Sequence, residues 1–269
     1  MKANFNDLFS IRGKVALVTG GSRGIGEMIA AGFLANGAKV YISSRKAGAC
    51  EETANRLARE YGGECLALAS DVSQLSGVED LARRLAEKES SLDILVNNAG
   101  ASWGAPLEAF PEVGWDKVMD TNLKGVFFLT QKLLPLLRRA ASAERPASIV
   151  NIGSIDGIRT STFEAPSYGA SKAALHQLTR FLAAKLVRDH IICNAIAPGP
   201  FPTWMLSTGV GFGGRTENVD WEAIAAQNPS GRVGTPEDIA GLAIFLCSRA
   251  GRYVVGQTIA CDGGMIAAS

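Results

Sequence analysis

The sequence predicts an α/β fold, a doubly wound parallel sheet of about seven strands with helices on both faces. Short runs rich in β-branched residues alternate with longer amphipathic segments along the whole chain of 269 residues. Several of the short runs are apolar almost throughout, as strands covered on both faces of a parallel sheet are. Strict alternation also requires a crossover helix between successive parallel strands. No linker, repeat or change of composition divides the chain, so we expect one domain over residues 1–269.

The individual elements follow from this alternation. The predicted strands are Lys14–Thr19, Lys39–Ser44, Cys65–Ser70, Asp93–Asn97, Ser148–Gly153, Ile191–Ile196 and Gln257–Ala260. The predicted helices are Gly24–Asn36, Ala47–Tyr61, Gly77–Ser90, Trp115–Ala141, Ser167–Asp189 and Pro236–Arg249. An irregular stretch from Pro198 to Gly234 is long for a connection, which is typical of a functional lid or a disordered segment. We expect a substrate lid around residues 200–234.

Composition and charge exclude several classes of protein. The chain has 27 basic and 26 acidic residues without a long run of one sign, so charge gives no support for nucleic-acid or membrane binding. No apolar stretch reaches the about 18 residues that a membrane span needs. The first residues lack an apolar run of signal-peptide length, so we expect a cytoplasmic protein.

The cysteines do not form a metal-binding or disulfide pattern. They are scattered, odd in number and absent from any C-x-x-C pair, and only His176 and His190 offer imidazole ligands. We therefore expect reduced thiols in the core and no metal site. The cysteines are Cys50, Cys65, Cys193, Cys247 and Cys261.

A glycine-rich turn follows the first predicted strand. The stretch VALVTGGSRGIGEMIA places Gly20, Gly24 and Gly26 between that strand and a helix. Glycine permits the tight turn and lets backbone N–H groups approach a pyrophosphate closely, while the helix N-terminus favours its negative charge. An ordinary βα turn is the alternative, but the position after the first strand favours dinucleotide binding.

The spacing of this turn is T-G-x-x-x-G-x-G, and three further motifs follow in order: Asn97-Asn98-Ala99-Gly100, Tyr168-Gly169-Ala170-Ser171-Lys172 and Pro198-Gly199. Over essentially its whole length the chain resembles the short-chain dehydrogenase/reductase family. The resemblance implies a Rossmann-type fold and an oxidoreductase that uses a nicotinamide cofactor. More narrowly, TGGSRGIG, ASWGAPLE, LLPLLRRAASAE and YGASKAALHQLTR resemble the β-ketoacyl reductases associated with bacterial rhamnolipid synthesis.

The end of the second strand predicts NADP(H) rather than NAD(H). Ser44 stands where an acidic residue would bind the ribose 2′-hydroxyl of NAD, and Arg45 follows it. Arg23 lies in the glycine turn on the side expected for the adenosine phosphate, and guanidinium groups suit phosphate. The alternative is that Arg45 is a solvated cation and Arg23 only begins a helix. The resemblance assigns these residues to the cofactor: Gly20, Ser22, Arg23, Gly24, Ile25, Gly26, Ser44, Arg45, Asp71, Val72, Asn98, Ala99, Gly100, Tyr168, Lys172, Pro198, Gly199 and Thr203.

Some of these assignments have plainer alternatives. Asp71-Val72 resembles the family's adenine-contacting pair, although Asp71 alone would pass as a strand-end cap. Thr203 completes P-G-x-x-x-T, which in the family bonds the nicotinamide carboxamide. We expect residues Asn98 to Gly100 to contact the cofactor through their backbone. The alternative is that they only form the turn at the end of a strand.

Tyr168 and Lys172 are the predicted catalytic pair. They are one helical turn apart and therefore share a face. A nearby ammonium favours the phenolate, so we expect Lys172 to lower the pKa of Tyr168 and the phenol to donate its proton to a carbonyl oxygen. The resemblance adds that Lys172 holds the nicotinamide ribose. Y-x-x-x-K pairs on helix surfaces are common, but this one follows the fifth predicted strand.

Ser154 and Asn122 complete the family's catalytic tetrad. Ser154 ends the fifth strand, where its hydroxyl could stabilise charge on the carbonyl oxygen, or simply make a turn. Asn122 interrupts a strongly apolar helical pattern. The resemblance makes it the holder of a proton-relay water, and a core asparagine bonded to backbone is the competing interpretation.

The expected activity is reduction of a hydrophobic carbonyl, such as a 3-oxoacyl thioester. A sugar, polyol or steroid alcohol dehydrogenase is the alternative, and a non-catalytic NADP(H)-sensing protein is a remote one. Arg138, Arg139 and Arg188 could meet an acyl carrier protein or coenzyme A, or form a solvated helix end. The family also implies a homotetramer built through the fourth and fifth predicted helices. The residues expected over the carbonyl are mostly apolar: Ser102, Trp103, Ile155, Asp156, Phe201, Trp204, Met205 and Leu206.

Overall fold

Seven parallel strands form one sheet in a computed structural model that describes residues 5–160, 163–207 and 219–268. The strands are β1 (Val15–Thr19), β2 (Lys39–Ser43), β3 (Cys65–Ala67), β4 (Ile94–Asn97), β5 (Ala147–Ile152), β6 (Ile191–Pro198) and β7 (Thr258–Cys261). Their order across the sheet is β3-β2-β1-β4-β5-β6-β7, and every neighbouring pair is parallel. The predicted fold class is confirmed.

The helices cover both faces of this sheet. They are α1 (Gly24–Ala35), α2 (Ala47–Tyr61), α3 (Leu75–Ala86), α4 (Glu112–Met119), α5 (Gly125–Ala140), α6 (Pro166–Leu186), α7 (Trp204–Ser207), α8 (Trp221–Ala226) and α9 (Pro236–Cys247). One buried apolar cluster joins the sheet to α1, α2 and α9, and a second joins the opposite face to α3, α5 and α6. Among the described helices, none is both long and apolar enough to cross a bilayer.

The predicted helix Trp115–Ala141 is wrong as a single element. α4 already begins at Glu112, and a π-helical turn over Asp120–Lys124 separates it from α5. Asn122 lies inside that turn with its side chain bonded to the backbone of Ala101. Such π-helical insertions are frequent at functional sites. Other boundaries differ from the predictions by a few residues, as helix and strand ends commonly do.

The lid stretch contains more regular structure than the sequence suggested. α7 follows Thr203, and α8 begins after Asp220, whose carboxylate accepts a hydrogen bond from the Ala223 N–H at 2.9 Å. Residues 208–218 of the predicted lid lie outside the described part of the chain.

The strand order defines where a ligand can enter. The chain runs outward from β1 to β3 and then returns to place β4 on the other side of β1. In such sheets the crevice at the carboxyl ends of the strands, beside this reversal, is the ligand site. The residues at those carboxyl ends are Thr19, Asn97, Ile152 and Pro198.

Candidate active site

The glycine turn after β1 is built so tightly that side chains do not fit. Gly20 has a φ of +65°, which L side chains rarely adopt. A Cβ on Gly26 would lie 2.5 Å from the Gly20 carbonyl oxygen and 2.4 Å from Nδ2 of Asn98. The main chain is therefore exposed at the start of α1, where N–H groups and the helix dipole favour a phosphate.

Thr19 and Asn98 fix this turn to the end of β4. The Thr19 hydroxyl accepts hydrogen bonds from the N–H groups of Asn98 and Ala99, both at 3.0 Å. In return the Asn98 amide donates to the carbonyl oxygens of Thr19 at 2.9 Å and Gly20 at 3.2 Å. The predicted site residues do not include Thr19, although its place at a strand end before three glycines is a usable signal.

Arg23 and Arg45 lie near each other, and no carboxylate of the described residues pairs with either. Burial and the charge of Arg45 both lower the pKa of the Arg23 guanidinium. Within the described chain neither side chain forms a salt bridge or hydrogen bond. Glu27, the acidic residue in the first turn of α1, is taken by Arg56. Two close, uncompensated cations form a site for an anion, and this charge fits the 2′-phosphate of NADP(H).

The remaining predicted cofactor residues lie around the same edge. Ser44 donates weakly to the Lys46 carbonyl, and Asp71 accepts from the N–H and hydroxyl of Ser73, so its carboxylate caps a turn as the alternative held. The Thr203 methyl group packs against Gly24, since a Cβ there would lie 3.3 Å from it. Thr53 donates to the carbonyl of Ser22. The others are Ile25, packed against the core, Val72, buried beside Gly125, and Pro198-Gly199, held beside Cys261.

Ser154 is held at the end of β5 with its hydroxyl oriented. It caps a short 3₁₀ turn, and its oxygen accepts a hydrogen bond from the Asp156 N–H at 3.1 Å. Since a lone pair is engaged there, the hydroxyl proton remains available to donate. Ser154 also lies close enough to Tyr168 for its hydroxyl to act on the phenol, where it lowers the pKa against the effect of burial. The turn and the donor are thus compatible functions of one residue.

Tyr168 and Lys172 meet as predicted, but the pKa shift has the opposite sign. Burial raises the pKa of Tyr168 to about 12, the Ser154 hydrogen bond works against this, and the charge of Asp156 adds to it. Lys172 is buried, donates to the Ile152 carbonyl at 2.7 Å, and has its pKa lowered by burial to about 8. The direction is opposite to the expectation from the Tyr168–Lys172 spacing, because desolvation is the largest contribution to the phenol pKa and raises it. The phenol is neutral near neutral pH.

Asn122 is close to Lys172 but fully engaged through its side chain. Its amide exchanges hydrogen bonds with the backbone of Ala101 at 2.8 and 2.9 Å, and donates to the Ser171 hydroxyl at 3.0 Å. A Cβ on Gly100 would lie 3.6 Å from Asn122 Oδ1 and 3.8 Å from Lys172 Nζ, so the two groups face each other across Gly100. The competing interpretation, a core asparagine bonded to backbone, describes the side chain.

Three aromatic residues expected over the carbonyl have packing partners within the described part of the chain. Phe201 is buried in the core beneath Gly234, and Trp103 packs on Gly114 of α4 with Lys117 near its ring. The Cζ atom of Arg23 lies 4.1 Å from the ring centroid of Trp204. Phe201 is too deeply buried to cover a substrate, whereas Trp204 is 49% exposed. For Trp103 and Trp204 the contact with the substrate stays a prediction.

His176 is a buried neighbour of the site that the sequence gave no reason to select. It lies one turn beyond Lys172 on α6, between Gly153 and Gly157, and its Nε2 has no hydrogen-bond partner among residues 5–160, 163–207 and 219–268. Burial and the charge of Lys172 lower its pKa to about 4, so the imidazole is neutral. The five cysteines carry free thiols, and four of them are buried.

Comparison with known proteins agrees with this geometry. Residues 20–266 match a family profile described as Enoyl-(Acyl carrier protein) reductase. The chain is 52% identical over 256 residues to the rhamnolipids biosynthesis 3-oxoacyl-[acyl-carrier-protein] reductase of Pseudomonas aeruginosa, covering 95% of this chain and 97% of that protein. It is 36% identical to gluconate 5-dehydrogenase of Gluconobacter oxydans over 259 residues, covering 96% and 97% of the two chains.

The structural comparison gives the same result. The Pseudomonas aeruginosa RhlG/NADP active-site complex superimposes with a TM-score of 0.90 at 51% identity, covering 97% of this chain and 99% of that one. Both the family resemblance and the narrower resemblance predicted from the sequence are confirmed. The chain belongs to the short-chain dehydrogenase/reductase family and is an oxidoreductase whose dinucleotide site fits NADP(H).

Proposed function

We propose that this enzyme reduces the 3-oxo group of a hydrophobic acyl thioester to a hydroxyl group, with NADPH as hydride donor. The observation that carries the proposal is the neutral phenol of Tyr168 beside the oriented hydroxyl of Ser154, with the Lys172 ammonium behind the phenol. The phenol can donate its proton and the serine hydroxyl can donate a hydrogen bond. Two such donors suit a carbonyl oxygen that gains negative charge during reduction.

Each residue has a separate task in this proposal. When bound, the dinucleotide supplies the hydride. Ser154 donates a hydrogen bond to the carbonyl oxygen and Tyr168 donates its proton there, so the carbonyl oxygen becomes the hydroxyl group of the product while the hydride bonds to the carbon. Lys172 keeps one N–H on the Ile152 carbonyl, which leaves its other donors for ribose hydroxyls. Asn122 holds the loop after β4 through Ala101 and supports any water near Lys172 with its main chain.

The preference for NADPH rests on the two arginines. A 2′-phosphate would relieve the repulsion between Arg23 and Arg45 and satisfy their unpaired donors. Ser44 carries no charge that would repel that phosphate. The adenine contact of Asp71-Val72 and the carboxamide contact of Thr203 belong to the same proposal, and Thr203 packs against Gly24 of the glycine turn.

Exposed apolar residues in the segment after Ser154 support an acyl thioester as the substrate. Ile158 and Phe163, which follow Ser154, are apolar and 47% and 44% exposed. The loop after β4 is tied to the same segment by a hydrogen bond from Ala105 N–H to the Glu164 carbonyl. A relative with 52% identity is named for 3-oxoacyl-[acyl-carrier-protein] reduction. An apolar rim suits an acyl chain better than a polyol.

Substrate turnover tests the proposal. Oxidation of NADPH would be followed with a 3-oxoacyl thioester carried on acyl carrier protein or coenzyme A, and separately with L-sorbose and 5-ketogluconate. We expect the highest kcat/KM with the thioester. Preference for the sugar ketones would support the second candidate, a sugar or polyol dehydrogenase, which the 36% identity to a gluconate 5-dehydrogenase favours.

We also propose that the enzyme is a homotetramer that works in a reducing compartment such as the cytoplasm. Phe181 and Val187 leave 51% and 41% of their surfaces exposed at the carboxyl-terminal half of α6 and in the turn that follows it. Apolar surface of this kind is commonly covered by a second subunit. The free thiols fit a reducing environment. Light scattering on the purified protein, with Phe181→Glu for comparison, would test the tetramer.

A further inference from the structure

The Arg23 guanidinium lies over the ring of Trp204, a residue of the lid stretch. Its Cζ atom is 4.1 Å from the ring centroid of Trp204, well inside the range of a cation–π contact. Arg23 belongs to the glycine turn, whereas Trp204 is the first residue of α7. The contact therefore joins the phosphate-binding edge of the site to the segment that follows β6.

The contact with Trp204 leaves the hydrogen-bond donors of Arg23 available. The five guanidinium N–H groups need lone-pair acceptors, and an indole side chain carries an N–H donor but no such acceptor. The ring therefore restricts rotation of the Arg23 side chain without taking up its donors. Within the described chain Arg23 forms no hydrogen bond or salt bridge that would compete for them.

The position of Trp204 is itself fixed from the same side. Its neighbour Thr203 packs its methyl group against Gly24, and the Thr203 carbonyl accepts from Ser207 N–H at 2.9 Å. Arg45 lies close enough to Arg23 to repel it. Without a contact on its face, Arg23 would turn away from Arg45 into solvent, because the long side chain has many rotamers.

We propose that Trp204 is a positioning residue for cofactor choice, which holds Arg23 beside Arg45 so that both guanidinium edges face the phosphate on the adenosine ribose. The inference rests on the proposed use of NADPH. It adds that a lid residue, and not only the turn and the second strand, determines the preference for the 2′-phosphate. Restricting Arg23 before the ligand arrives lowers the entropy lost on binding.

Calorimetric titration of the purified enzyme with NADPH and with NADH tests this inference. Trp204→Leu should weaken NADPH binding about two- to fivefold, the equivalent of one exposed cation–π contact, and leave NADH binding unchanged. Trp204→Phe keeps a ring and should restore most of the loss. Trp221→Leu is the matched control, because Trp221 is the first residue of α8, the other short helix of the lid stretch. The Trp221→Leu enzyme should bind both cofactors like the unmodified enzyme.

The outcomes separate the inference from the proposed function. If Trp204→Leu weakens NADPH binding and NADH binding equally, Trp204 only packs the lid. If it weakens neither, Arg23 needs no support from Trp204. Either result overturns the inference and leaves the proposed function standing. If the unmodified enzyme itself binds NADH as tightly as NADPH, the proposed cofactor choice fails and the inference fails with it. Loss confined to NADPH supports both.

Discussion

The Nζ atom of Lys172 lies 5.6 Å from the ring centroid of Tyr168 while it donates a hydrogen bond to the Ile152 carbonyl at 2.7 Å. The ammonium thus faces the ring and is held by β5. Burial moves the two pKa values in opposite directions, to about 8 for Lys172 and about 12 for Tyr168. Lys172 therefore titrates first as the pH rises, and the phenol keeps its proton well beyond that point.

The first prediction concerns the pH profile of reduction. Reduction needs the neutral phenol and the charged Lys172, so kcat/KM should fall as the pH rises through about 8, where Lys172 loses its proton. The phenol should not contribute until the pH approaches about 12. Initial rates with NADPH across this range would measure the profile of the free enzyme.

A matched variant assigns that transition. Lys172→Met carries no titratable group, so its residual activity should show no fall near pH 8. If the same fall persists in Lys172→Met, another group titrates there and the assignment is wrong.

The second prediction concerns Gly26. Alanine there would press on the Gly20 carbonyl and the Asn98 amide, so we expect Gly26→Ala to lose about 1–3 kcal/mol of stability and to bind dinucleotide at least about tenfold more weakly. Thermal unfolding and cofactor titration would measure both. Gly48→Ala is the control: nothing lies within 4 Å of that position in α2, and alanine should stabilise the helix by about 0.5–1 kcal/mol.

The third prediction concerns Arg45. Its removal takes a charge-assisted contact from the 2′-phosphate, so Arg45→Ala should raise KM for NADPH about tenfold and leave KM for NADH unchanged. Arg59→Ala, at the other end of α2, should change neither value. Equal KM values for NADPH in the Arg45 variant and the unmodified enzyme would show that Arg45 is only a solvated cation.

The fourth prediction concerns stability at acidic pH. Burial and the nearby charge of Lys172 lower the folded-state pKa of His176 from 6.5 to about 4, while the charge of Arg180 acts in the same direction. The unfolded chain therefore binds more protons between these pH values, and stability falls as the pH drops from 6.5 to about 4. The loss from this residue is about 3 kcal/mol.

Two asparagine variants isolate this effect. His176→Asn removes the titration, so its free energy of unfolding should change less with pH across this window than that of the unmodified enzyme. His190→Asn is the control, because His190 is exposed and has a φ of +57°, which asparagine tolerates. Identical pH dependence in both variants would contradict the prediction.

The fold and the main site residues could be predicted from the sequence because they depend on local patterns. Apolar runs identify strands buried on both faces, and glycine spacing identifies the turn, since a Cβ on Gly26 would collide with the main chain. The two hydrogen bonds between the Asn122 side chain and the Ala101 backbone join distant segments of the chain. The π-helical turn that contains Asn122 has no signal in the local sequence. The pKa shift of Tyr168 depends on desolvation by the surrounding fold, which the spacing of Tyr168 and Lys172 does not reveal.

Aromatic residues of the lid show the same limit. The sequence placed Phe201 and Trp204 over the substrate because they are apolar residues in a long connection. Phe201 packs against Gly234, and Trp204 contacts Arg23, which is 181 positions earlier in the sequence. Contacts between distant segments of this kind require the three-dimensional structure.

The proton donor is the centre of the account, and Tyr168→Phe tests it most directly. The variant keeps the ring beside Lys172 but cannot donate a proton, so kcat for the 3-oxoacyl thioester should fall by about 10²–10⁴-fold while the Kd for NADPH stays within about twofold. Tyr253→Phe, at a fully exposed position, should keep the kcat of the unmodified enzyme. A Tyr168→Phe enzyme that binds NADPH and turns over the thioester at the unmodified rate would contradict the account.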